Sequence, residues 1–148
     1  MNYVLIVPNK IIGKFMTLIK KIKDKKVNFE FNKEYIRVVT DKIANNDALF
    51  INNSFKEMHP ADAADIIEHL SEGDRENLIK LNNFKIEAEI FVELNESIQK
   101  EIIKFLSSES IVSILKNLDS DDAIQILENI DEKNKNNILS SLPPKDRF

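Results

Sequence analysis

The feature that most constrains this chain is a register of twelve residues. Ile66-Ile67, Leu78-Ile79, Ile90-Phe91, Ile102-Ile103, Ile114-Leu115, Ile126-Leu127 and Ile138-Leu139 are pairs of large apolar residues, each twelve positions after the last. Three residues after each pair stand Leu70, Asn82, Leu94, Leu106, Leu118, Ile130 and Leu142; Asn82 alone departs, with Leu81 beside it. The next residue in each period is Ser71, Asn83, Asn95, Ser107, Asp119 or Asp131. These are the types whose side-chain oxygens accept from the free amide N–H groups of a helix start.

One continuous helix cannot carry this pattern. Twelve residues at about 100° each leave about 120° over, so the apolar pairs would spiral around the axis and never make one face. The chain is predicted to break at each cap, near residues 71, 83, 95, 107, 119 and 131. The unit is then a helix of about ten residues, roughly 15 Å long, with a short corner. Such helices are marginal alone and become stable by stacking. The expected fold class is all-α, a solenoid of short helices with a 12-residue repeat.

The first clear unit is HPADAADIIEHLS, residues 59–71. Pro60 suits the first helical position, where its missing N–H costs nothing. Ala63, Ala64, Ile66, Ile67 and Leu70 form its expected buried stripe. Ile111, Val112, Ile114, Leu115 and Leu118 repeat those spacings, and so do Ala123, Ile124, Ile126, Leu127 and Ile130. Asp62 and Asp65 lie near the helix start, where the dipole favours negative charge.

Upstream, residues 34–45 and 47–57 read as two more helices with weaker periodicity. Residues 1–30 fall outside the repeat. Residues 1–7 are expected to form a strand. Ile11, Ile12, Phe15, Leu18, Ile19 and Ile22 follow a helical period among lysines, which suits a basic amphipathic helix that docks on the domain or lies on an anionic membrane surface, or else a frayed leader. The domain boundaries are therefore a basic leader at 1–30, the repeat domain at 31–142, and a Pro143-Pro144 stop opening a linker at 143–148.

Composition excludes several classes. There is no cysteine, hence no disulfide framework and no thiolate zinc site. The longest apolar run, residues 3–7, is far short of the roughly 18 residues of a membrane span. Residues 1–26 hold seven lysines against one aspartate, a balance of +6; the whole-chain charge of −4 leaves −10 for residues 27–148. An acidic globular part argues against a nucleic-acid partner.

No G-x-x-x-x-G-K, G-x-S-x-G or H-E-x-x-H motif occurs, and no enzyme activity or catalytic residue is expected. His59 and His69 stand ten residues apart without supporting carboxylates and read as a cap and a surface residue. Carboxylates cluster at Glu87 and Glu89, at Asp119, Asp121 and Asp122, and at Asp131-Glu132. Capping and a solvated face account for them; the sharper reading is a weak site for a hard cation.

The stretch MHPADAADIIEHLS, followed by DRENLIKL, AEIFVEL and SIVSILKNLDSDDAIQILENI, resembles the cytosolic N-terminal domain of MgtE-type magnesium transporters. Its specific parts are the H-P-A-D helix start and the later L-D-S-D-D, and it covers residues 31–142. The resemblance implies a right-handed superhelix of short helices. It implies a regulatory domain on the cytoplasmic side of the bacterial inner membrane, partnered by CBS domains and by the transmembrane domain of the same transporter, which dimerises. It implies weak, regulatory Mg²⁺, bound between this domain and the CBS domains when intracellular magnesium is plentiful. The matching acidic positions are Glu89 and Asp121, a partial metal site; Gln125 stands where a further acid is expected. Since the chain stops at Phe148, it is expected to be a piece of a longer protein, a truncated gene product or one part of a split gene, soluble by itself. A second resemblance, to the middle domain of the flagellar rotor-switch protein, implies a helical adaptor for other proteins instead.

Overall fold

The computed structural model describes residues 29–82 and 84–146. Among them the regular elements are helical, without a strand. In chain order they are α1 (Phe29–Ala44), α2 (Ala48–Lys56), α3 (Pro60–His69), α4 (Glu72–Lys80), α5 (Ala88–Glu93), α6 (Glu96–Ile103), α7 (Ser108–Lys116), α8 (Ser120–Glu128) and α9 (Glu132–Ser141). A single 3-10 turn, Pro144–Asp146, follows where a linker was predicted. The chain divides into two compact units, Met1–Tyr35 and Ile36–Phe148. The strand predicted at 1–7 and the basic amphipathic helix around Ile11–Ile22 lie outside the described residues.

Local side-chain chemistry accounts for the helix starts. The side chains of Asp47, Ser71, Asn95, Ser107 and Asp131 accept from the amides of Phe50, Asp74, Ile98, Ser110 and Asn134 at 3.1–3.2 Å. Each bond satisfies one N–H that the helix itself leaves open. His59 does the same through Nδ1, which accepts from the Ala61 amide at 3.3 Å, and Pro60 follows it at the first helical position. Asp119 occupies the N-cap of α8 without a side-chain bond.

Three sequence expectations are corrected. The helix predicted to start after a cap near residue 83 starts instead at Ala88, with Glu87 at its N-cap. Phe84, Ile86 and Ala88 are buried and Lys85 and Glu87 exposed, a period of two that keeps this stretch extended. The first helix begins at Phe29, ahead of the predicted Glu34; its buried spacing of Tyr35, Val39 and Ile43 lies wholly after Glu34 and so gave no sign of the earlier turn. The buried stripes are also narrower than predicted. Ile66, Val112 and Leu118 are only half-buried, and Ile124 is 43% exposed.

In the unit Ile36–Phe148, α3 packs on α5, α5 on α7, and α7 on α9; α4 packs on α6, and α7 also meets α8. The core is the set of inward residues these contacts share. Ile67, Leu78, Phe91, Ile102, Leu115 and Ile138 are all below 2% exposed. Burying an aliphatic or aromatic side chain of this size contributes about 1.5–3 kcal/mol. That offsets the small intrinsic stability of helices only six to ten residues long.

Candidate functional site

Glu89 stands in the first turn of α5 and Asp121 in the first turn of α8. Both are exposed, as are Asp119, Asp122 and Gln125. The two predicted metal carboxylates belong to helices that both pack on α7, so that helix relates them. Among the described residues, no three or more His, Asp or Glu side chains gather as a metal's ligand set would. The donor chemistry thus fits separate hard-oxygen contacts to a hydrated dication and does not amount to an enclosed site.

Glu89 borders a groove of about 430 Å³ between α2, α5 and α7. Phe55, Phe84, Ile86, Ile90 and Ile114 supply its apolar walls, while Lys56, Lys85, Glu87 and Asn117 add polar groups. A second cleft of about 350 Å³ is bounded by Ile79, Lys80, Phe105, Leu106 and Ser110. Phe84, Lys85, Ile86 and Ser113 line both, so the extended segment forms a wall between the two.

The histidines take the expected bland roles. His59 is a cap, and His69 Nδ1–H donates to the Asp65 carbonyl at 2.7 Å on an exposed surface.

The polar network that orders the neighbourhood of α5 has no counterpart among the sequence candidates. Arg75, only 8% exposed, donates from Nε and Nη2 to the two carboxylate oxygens of Glu101 at 2.7 and 2.8 Å. Its Nη1 donates to the carbonyls of Leu70 and Glu68 at the end of α3. The Glu101 carboxylate, by its hydrogen bonds, raises the Arg75 pKa above its ordinary value against the opposing effect of burial. Glu68 Oε1 accepts from the Asn95 amide at 2.6 Å, and buried Gln99 donates from Nε2 to the Phe91 carbonyl at 3.0 Å. A signal for two of these residues was present. Arg75 and Gln99 occupy the register position held by Ala63, Ile111 and Ala123, all buried. A polar residue in a buried stripe needs partners.

Among the described residues, no helix is long and apolar enough to cross a membrane. No curated protein matches the chain. The family model for the MgtE intracellular N domain matches residues 58–148, from the residue before the His59 cap through α9 and beyond. With more than half of its length matched, the chain belongs to the MgtE intracellular N domain family.

Proposed function

We propose that this chain is the regulatory cytosolic module of a magnesium transporter and responds to Mg²⁺ through its acidic face. The observation that carries the reading is the family match over residues 58–148. It favours this reading over the rotor-switch adaptor and assigns the chain no reaction of its own. The short helices and their next-but-one packing, α3 on α5 on α7 on α9 with α4 on α6, support a superhelix with a twelve-residue repeat in the unit Ile36–Phe148. Its partners in this reading are the CBS domains and the transmembrane domain of a dimeric transporter at the cytoplasmic face of the membrane.

Glu89 and Asp121 each present an exposed carboxylate from a helix start. Mg²⁺ holds its waters unless several anionic ligands converge, so these two supply half a site and the CBS domains the rest. Acidic surfaces on two domains repel each other, and a dication between them removes the repulsion. Metal then biases the closed arrangement because it binds that state better. Asp121 also lies near the positive end of the α8 dipole, which competes with the cation for its charge.

The test is an isothermal and NMR titration of the chain with MgCl₂, alongside Glu89→Gln and Asp121→Asn. The expected affinity is millimolar, about −4 kcal/mol, weakened by either substitution. Micromolar affinity in the unsubstituted chain would refute the half-site. An unchanged millimolar response in both variants would show that the acidic face acts only as diffuse charge.

A further inference from the structure

The chain leaves α4 at Lys80, runs through the extended segment and α5, whose Ile90 and Phe91 are buried, and continues into α6. This excursion carries Glu89. It has little to hold it locally. α5 is six residues long, its N-cap Glu87 makes no side-chain bond, and one to two turns of isolated helix do not persist in water. The polar ties lie at its two ends. Gln99 of α6 holds the Phe91 carbonyl, Glu68 of α3 holds the Asn95 amide, and the fork of Arg75 on α4 grips Glu101 of α6. Arg75 and Glu101 are 26 residues apart in sequence, and α5 lies between them.

We propose that the Arg75–Glu101 pair is a clasp closing this excursion, which makes Arg75 a positioning residue for α5 and the Glu89 carboxylate. The clasp acts through α6. It fixes α6 against α4, and α6 in turn holds the C-terminal end of α5 through Gln99. Only an arginine completes it. Nε and Nη2 face the carboxylate side by side while Nη1 reaches the last carbonyls of α3, a planar arrangement that a lysine ammonium cannot copy. The consequence for Mg²⁺ rests on the reading of Glu89 given above; the clasp itself does not.

The experiment is residue-resolved amide hydrogen exchange on the full chain with Arg75→Met, Arg75→Lys, Glu101→Gln and the Arg75→Met/Glu101→Gln double variant. The hydrogen-bonded amides of α5, residues 91–93, are expected to exchange at least about tenfold faster in each single variant, while buried amides of α7 to α9 change less than about twofold. The double variant is expected to add little to Arg75→Met, since both remove one interaction. Equal acceleration across α3 to α9, or full rescue by Arg75→Lys, would overturn the clasp. Should Arg75→Met not fold, Glu101→Gln, which keeps the side-chain size, decides the same question. An MgCl₂ titration read at the Glu89 amide separates the two ideas. A Glu89 shift that weakens in Arg75→Met supports the positioning role. No Glu89 response in the unsubstituted chain defeats the metal reading and the Glu89 role, while the exchange pattern still decides the clasp.

Discussion

The rings of Phe55 and Phe84 meet edge to face, with centroids 6.0 Å apart and planes at 81°. Phe55 lies in the last turn of α2, and Phe84 opens the extended segment, so this contact anchors the wall between the two clefts. Phe84→Ala is expected to destabilise the protein by about 3–5 kcal/mol, part of it the edge-to-face term. Lys85→Ala, at the exposed neighbour, should stay within about 0.5 kcal/mol. Urea unfolding of both variants checks this; equal losses would mean that the segment is held by its backbone.

Ile114 and Ile126 are 4% and 3% exposed at equivalent positions of α7 and α8. Truncating either to alanine should cost about 2–5 kcal/mol through lost burial and the remaining cavity. Lys116 and Glu128 sit on the exposed faces of the same helices, and alanine there should cost under about 0.5 kcal/mol. Comparable losses at both kinds of position in a denaturant series would show that the faces are misassigned.

Gln99 is buried, and its amide satisfies the Phe91 carbonyl at the end of α5. Gln99→Leu keeps the bulk and removes the donor. The Phe91 carbonyl keeps its bond from the Leu94 amide at 3.3 Å, so losing the second donor is expected to cost about 0.5–1.5 kcal/mol. Gln99→Glu should cost more at neutral pH than below pH 4, because an ionised carboxylate cannot donate to a carbonyl and a protonated one can. Thermal melts at the two pH values read the difference; identical penalties would show that the amide's hydrogen bond contributes nothing.

Among the described residues, three carboxyl groups are held below their ordinary pKa. Burial pushes Asp47 up, but its hydrogen bond to Lys42, the Phe50 amide and the Lys42 charge together outweigh that. Asp131 is lowered first by the Asn134 amide, and Glu109 first by its own backbone N–H and then by the Ser107 hydroxyl. A depressed pKa means that the unfolded chain binds more protons in acid, so stability rises with pH there. The contribution is complete above the ordinary carboxylate range and is lost as pH falls through the lowered values. Melting temperature should therefore drop between about pH 5 and pH 2, and Asp47→Asn should flatten that drop. An acid limb of unchanged steepness in the variant would contradict the assignment.

Much of this protein was legible in single short stretches of sequence. Ser71, Asn95, Ser107 and Asp131 mark helix starts because each bond runs to an amide only three residues on. Tertiary context hardly enters such a contact. His59 with Pro60 worked in the same way, and the inward pairs Ile114-Leu115 and Ile126-Leu127 followed from helical period alone. What a neighbour supplies was not legible. Ile124 shares the spacing of a buried stripe, yet it is exposed, because its burial depends on a second element covering that face of α8. The late start of α5 came from Phe84 and Ile86 finding apolar partners on other helices, which favoured alternation over a helical turn. Arg75 stands at a buried register position, but nothing in the sequence names Glu101 as its partner. Only the folded chain brings them together across 26 residues, where burial makes their pairing obligatory. Local hydrogen bonds and helical period thus settled where most helices begin and which face turns inward, whereas long-range packing alone decided which charges became structure and which apolar residues stayed in water.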